Sequence, residues 1–192
     1  MVDVSEDPGE IDRLAERLRP SVNRAQVLAR FDEMFRAGAP PDPFPDGFHP
    51  GRFLATSIWG PFDSFTLGLS RLWMPWRGKV FDRGTQEGVN RFVHATASRL
   101  ALKAVFPSYT PERSTSDRIE AFPFRNRVAP GELDPDVSVY KIDYDFEANP
   151  DLLIRRILDE IVQVAPGRYL GKILFRASGR FYPIGFFSLR SP

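Results

Sequence analysis

Six polar side chains fall in strand-like stretches of this chain and could meet a ligand: Lys79, Arg91, Tyr140, Tyr144, Tyr169 and Lys172. An ammonium, a guanidinium or a phenol can orient a bound molecule, and a Lys or Tyr can also move a proton. On VYKIDYD the period of two sets Tyr140, Ile142 and Tyr144 on one face and Lys141, Asp143 and Asp145 on the other. The tyrosine face is expected to turn inward and the charged face outward. In the reverse orientation Lys141 and Asp143 would lie inside, two residues apart, as an acid/base pair.

A second group is aromatic. The stretch WMPWRGKVFDRG, residues 73–84, sets Trp73 and Trp76 beside a glycine at the entrance to a strand-like Val-Phe. Together with Trp59, Phe65 and Phe81 these rings are expected to line an apolar cup, with Gly171 and Gly185 leaving room for a ligand in late strands. The competing reading is that the same rings fill an ordinary core. His94 is the one histidine in a strand-like stretch, His49 falling in a proline-rich segment, and its imidazole is an alternative point of attachment for a haem. There is no HxxxH or HxxE pattern, so no metal site is expected. GxSxG, P-loop and GxGxxG motifs are absent as well, and no catalytic residue or cofactor follows from the sequence.

The elements that must hold these residues can be read from periodicity. From Ile11 to Phe35 the apolar residues Ile11, Leu14, Leu18, Val27, Leu28, Phe31, Met34 and Phe35 recur at helical spacing, interrupted by Pro20, which predicts a helical arm over 1–38. GAPPDPFPDGFHPG reads as a proline-rich tether over 39–50. The body, 51–192, begins with the strand candidate GRFLATSIW. A short helix with Asp63 as N-cap follows, on which Phe65, Leu69, Leu72, Trp73 and Trp76 share one face. Residues 97–106 favour helix. Asn149 and Pro150 open a short helix ahead of DEIVQV. DRIEAFPFRNRV with SVYKIDYDF, and RYLGKILFR with RFYPIGFFSLR, read as antiparallel hairpins. Counting 88–95, about eight strands result, enough to close a small barrel. The last strand is apolar on both faces, so it needs cover on both, and the helical arm is its natural outer cover.

Composition bounds the rest. At 192 residues with 42% hydrophobic and 27% charged side chains, the chain fits one folded domain. A formal net charge of +1 supplies no field for nucleic acid. There is no cysteine, so disulfides and thiolate metal sites are excluded. The opening MVDVSEDPGE is acidic where a signal peptide is basic then apolar, and no stretch has the run of about 18 apolar residues of a membrane span. These features point to a cytoplasmic, bacterial-type protein without a membrane span, monomeric or weakly dimeric.

The run GPFDSFTLGLSRLWMPWRGKVFD, followed by GVNRF, VYKIDYD and YLGKILF, resembles the bacterial GXWXG-type and related domains of unknown function, which look like calycins. Trp76, Gly78, Lys79, Phe81 and Asp82 match their Trp/Tyr-Gly-Lys-x-Phe-Asp element, and Leu170 and Gly171 their late Leu-Gly step; the leader SIWGPF lacks the Gly-x-Trp-x-Gly spacing. The resemblance implies a mostly β, α+β fold: a small antiparallel lipocalin-like barrel with an N-terminal helical arm and short helices at its mouth. It implies no activity. The expected function is therefore binding of an apolar or amphipathic small molecule, such as a lipid, terpenoid or polyketide-like compound. An isomerase or cyclase acting in the same cavity is the alternative from another class.

Overall fold

The alternation that runs through the second half of the chain folds into one continuous meander. The structure, a computed structural model, describes residues 9–18, 22–57, 76–93, 96–151 and 153–192. Two helices come first, α1 (Glu10–Arg17) and α2 (Arg24–Ala37), and a third, α3 (Thr96–Val105), follows the third strand. The strands are β1 (Gly47–Thr56), β2 (Trp76–Asp82), β3 (Glu87–Val93), β4 (Arg113–Ser114), β5 (Arg118–Pro130), β6 (Ser138–Asp143), β7 (Ile157–Ala165), β8 (Arg168–Ala177) and β9 (Arg180–Arg190). Each long strand pairs antiparallel with its successor, β3 pairs with β5, and β9 returns to β1, so eight strands close a barrel with the two-residue β4 appended to β5. Closure removes the free sheet edges.

Local chemistry sets the hairpins. Between β8 and β9 only Ser178 and Gly179 turn the chain, both at positive φ (50° and 75°), the backbone of a two-residue hairpin that matches strand twist. Pro166 and Gly167 (φ 67°) turn β7 into β8, proline fixing the first turn position and glycine the left-handed second.

Two apolar layers result. The interior holds Phe81, Phe124, Tyr140, Ile142, Ile161, Ile173 and Phe187 among others. The outer layer lies between α1–α2 and the outer faces of β1 and β6–β9, where Phe31 of α2 meets Phe186 at 5.6 Å between ring centroids. β9 is thus covered on both faces from Ile184 onward, while Tyr182 and Pro183 before it are exposed. A charged row crosses the same outer wall, with Lys141, Glu160 and Lys172 in register on β6, β7 and β8. Lys172 Nζ donates to Asp32 of α2 and to Asp134, each at 2.6 Å, and tethers the arm to the wall.

Two boundaries differ from the sequence reading. The tether ends early, because β1 starts at Gly47 and includes Pro50, which is the last β1 residue paired with β2, opposite Gly78. The helix expected after Asn149 is only a 3₁₀ turn, Ile154–Arg156. Asn149 does not cap it: its amide N–H groups donate to the carbonyls of Pro123 and Tyr144, which turns the side chain away, and its Oδ1 accepts no hydrogen bond among the described residues. Residues 96–105 are helical, and the short helix expected over 63–76 falls outside the described residues up to Trp76, which begins β2.

Candidate functional site

The barrel interior is apolar except at one level, where a lysine is buried. β2 carries a bulge between Trp76 and Gly78. One extra residue there changes the parity of the strand, so Trp76, Lys79 and Phe81 all face inward although Trp76 and Lys79 are an odd number of residues apart. Gly78 makes this possible. Its φ is 140°, and a Cβ on it would stand 2.0 Å from the His49 carbonyl oxygen.

Lys79 Nζ uses all three of its donors. It bonds Asp159 Oδ2 at 2.8 Å, Asn90 Oδ1 at 3.1 Å and the Tyr144 hydroxyl. The rings of Trp76, Phe124, Tyr144 and Phe187 surround it, with centroids 5.1–5.5 Å from Nζ, so the cation also sees aromatic faces. Asn90 ties the group together: Oδ1 accepts from Trp76 Nε1 at 3.0 Å, and Nδ2 donates to Tyr144 and to the Phe122 carbonyl. Phe122 sits at a break in the β3–β5 ladder with φ 59°, and its N–H donates to the Tyr109 hydroxyl at 2.7 Å. Tyr144 in turn donates to Asp159 Oδ2 at 3.1 Å. Asp159 Oδ1 is buried with no hydrogen-bond partner among the described residues.

Burial dominates the electrostatics. It pushes the Lys79 ammonium below its usual range and Asp159 above the usual carboxylate range, while the opposite charge of each partner resists the shift. The ionic and the proton-transferred forms of the pair are thereby drawn together in energy. Tyr144 is raised well above 10 by burial and then by the Asp159 charge, so it stays a neutral phenol and a hydrogen-bond donor. Such a group can hold a carbonyl or hydroxyl oxygen, or relay a proton toward one.

Among the described residues, rings fill the interior around this group. The glycines expected to leave space for a ligand instead make room for rings: a Cβ on Gly171 would lie 2.2 Å from the Phe187 ring, and one on Gly185 would lie 3.2 Å from the ring of Phe53. Gly51 and Gly88 receive Trp76 and Phe124 in the same way. A void of about 20 Å³ remains beside the polar group, lined by Trp76, Asn90, Phe92, Phe122, Tyr144 and Ile157. That is room for a group the size of a water.

Of the expected ligand-lining residues, the structure brings Trp76, Lys79 and Tyr144 together. Phe81 and Tyr140 lie further along the interior, Phe81 against the His49 and Phe124 rings and Tyr140 stacked on Phe44 at 5.1 Å. Tyr169 is also buried, bonded to Ser191 through its hydroxyl. Arg91 is a correction: it neighbours inward Asn90, so strand alternation turns it out, where it pairs with Glu120 at 2.8 Å and covers the Phe48 ring. Lys172 is likewise on the outer wall. Lys141 faces outward but is buried there rather than solvated, held by Glu132 at 2.8 Å, which corrects the expected solvated side; Asp143 is partly exposed. Trp59, Phe65, Trp73 and His94 lie outside the described residues.

Asn90, Asp159 and His49 were missed. Asp159 had a signal, a carboxylate at the same parity as Ile157 and Ile161 on an apolar strand. His49 is buried inside the barrel between Phe81 and Tyr169, and burial lowers its pKa below 6.5. Among the described residues no cluster of three or more His, Asp or Glu could hold a metal ion, and no helix is long and apolar enough to cross a membrane.

No protein-family model matches the chain, and no curated protein matches it. Among solved structures, the crystal structure of a protein from Thermomonospora curvata is similar with a TM-score of 0.49 and 18% identity, over 94% of this chain and 99% of that one. A likeness at that distance says nothing of activity.

Proposed function

We propose that the protein binds an amphipathic small molecule at the Trp76 end of its barrel, a lipid, terpenoid or polyketide-like compound with one oxygen-bearing end. The observation that carries this reading is the buried Lys79–Asp159–Tyr144–Asn90 group beside a water-sized void. A barrel selected only for stability gains little from a buried ion pair, since apolar residues of similar volume serve as well or better. The void accommodates only the oxygen end, next to Asn90 and Tyr144, and the apolar remainder leaves past Phe92 and Phe122. Trp59, Phe65 and Trp73 belong to this proposal as further rings around the ligand, and the kinship with GXWXG-type domains belongs to it as well.

Native mass spectrometry of freshly purified protein is the first test, since a retained ligand declares its own mass. Titration with farnesol, followed by tryptophan emission, is the second. Saturable binding that weakens about tenfold in Asn90→Leu supports the reading, the size expected for one lost buried hydrogen bond. Unliganded protein together with no saturable response to farnesol or to a fatty acid sinks it.

A rival enzymatic reading draws on one feature, the closely balanced Lys79–Asp159 pair linked to a phenol. In an isomerase or cyclase, Tyr144 would give its proton to the substrate oxygen, Lys79 would reprotonate the phenolate, and Asp159 would accept the proton the substrate loses. Incubation with the bound compound and mass-spectrometric search for product separates the two, and turnover abolished in Tyr144→Phe establishes the enzyme.

A further inference from the structure

A concavity near the interior site lies outside the barrel. Between α3 and the β4–β5 segment runs a groove of about 510 Å³, within the range of about 300–1,000 Å³ common for small-molecule sites. Its floor is apolar, made by Leu102, Ile119 and the Tyr109 ring. Leu102 and Ile119 are buried and part of the interior core, so the floor is fixed by the barrel itself. Tyr109 is fixed too: its ring stacks on Phe122 at 5.0 Å and its hydroxyl accepts the Phe122 N–H.

The rim has a different character. Arg99 and Lys103 stand one helical turn apart on α3, and both line the groove. Neither makes an ion pair or a side-chain hydrogen bond among the described residues, whereas most other arginines and lysines of the described chain are paired. Glu112, the acidic residue next in the loop, acts on Tyr109 and bonds neither cation. Between the two cations on the helix, Leu100 is 65% exposed, an unusual exposure for a leucine facing a groove.

We infer that this groove is a second binding site, specific for a long-chain carboxylate. Arg99 and Lys103 hold the carboxylate, and Leu100 with the apolar floor covers the chain. The concavity favours a single small amphipath over a flat macromolecular partner. Two unpaired cations beside exposed apolar surface are complementary to an anionic head on an apolar tail, and the site needs no rearrangement of the barrel.

The test uses the whole chain and dodecanoate as probe, by isothermal calorimetry below its micelle concentration, with dodecanol as the uncharged comparison. We expect saturable dodecanoate binding, at least about tenfold weaker binding of dodecanol, and a loss of about tenfold or more in the Arg99→Gln/Lys103→Gln double variant. Leu100→Asn should weaken both probes. Circular dichroism confirms that these surface variants are folded. In the Asn90→Leu background, where the interior site is weakened, Arg99→Gln/Lys103→Gln should remove the same component of dodecanoate binding as in the unaltered chain, so the two sites fail or stand separately. Equal affinity for dodecanoate and dodecanol overturns the inference, as does undiminished binding by the double variant. A dimer in sedimentation that Leu100→Asn dissolves, without dodecanoate binding, also overturns it and assigns the groove to a second copy of the chain.

Discussion

Replacing Lys79 by Met leaves Asp159 fully buried beside Tyr144 with its counter-ion gone. Removing one partner of a buried pair costs about 3–5 kcal/mol, because the remaining charge must stay unpaired or take up a proton in the fold. For a domain whose whole stability is about 5–15 kcal/mol this is a large share. With a urea m-value of about 2 kcal/mol/M, the unfolding midpoint should fall by roughly 1.5–2.5 M. Met fills the space of the lysine stem, so little of the loss is cavity. The second half of the prediction is Lys79→Met/Asp159→Leu. Both charges are then gone, Trp76 Nε1 still donates to Asn90 Oδ1, and the Tyr144 hydroxyl can donate to that same oxygen, 3.3 Å away. The double variant should regain most of the lost stability or exceed the wild type by up to about 4 kcal/mol. Urea titrations followed by tryptophan emission and far-ultraviolet circular dichroism measure both, coincident curves establishing two-state behaviour. A single-variant cost below about 1 kcal/mol, or a double variant as damaged as the single one, refutes the reasoning. A stable double variant that no longer binds farnesol would show the pair to be kept for the ligand.

Three further outcomes are expected. Gly78→Ala drives a Cβ to 2.0 Å from the His49 carbonyl oxygen and 2.9 Å from the Gly51 nitrogen, both backbone atoms, and should cost at least about 3 kcal/mol by urea unfolding. Gly171→Ala meets the Phe187 ring at 2.2 Å and should cost about 1–3 kcal/mol; Phe187→Leu in the same chain should recover part of it, and strict additivity would speak against the contact. His49 is lowered by burial, so the unfolded chain binds its proton more readily: its contribution is intact above pH 6.5 and is lost as pH falls through the lower folded value. His49→Gln should flatten that part of the stability profile, and an unchanged acid slope in the variant would remove His49 as its source.

How much of this was legible in the sequence depended on whether the period of two ran unbroken. It does on β6, where Tyr140, Ile142 and Tyr144 turn inward as the alternation says, and on the late hairpin, where Ser178–Gly179 marks the turn. The site lies where the period breaks. The bulge at Gly78 sets Trp76 and Lys79 on one face, and the break at Phe122 frees the carbonyl that Asn90 takes. Neither shift has a signature that counting can find, beyond a glycine in the first case. Proline misled at Pro50, because a residue without an N–H is tolerated where a ladder ends, and the end of the β1–β2 ladder has no mark in the sequence. The aromatic surplus was read as a lined cup, but a ring seated over a glycine fills space, and composition does not distinguish the two. Arg91 looked available because its partner Glu120 is distant in sequence and adjacent only through the β3–β5 closure.

The seam between β1 and β9 has a consequence for how the molecule reaches this state. Gly51 pairs with Leu189 and Phe53 with Phe187, so the barrel is joined by contacts between nearly the most distant parts of the chain. The other neighbouring pairs join stretches much closer in the chain, and β2–β3, β5–β6, β7–β8 and β8–β9 do so across short connections, free to form as soon as their own residues meet. Closing the ring therefore carries the largest loop-closure cost and is rewarded last, which makes it the slow, cooperative step. Until then β1 and β9 present unpaired edges, and the inner rings of β8 and β9 face water. α2 packs over β7 and β8 and reaches β9 through Phe31, seated on Phe186, so it ties the late strands together beside the seam. In that role the helical arm acts on the folding rate as much as on the stability of the finished barrel.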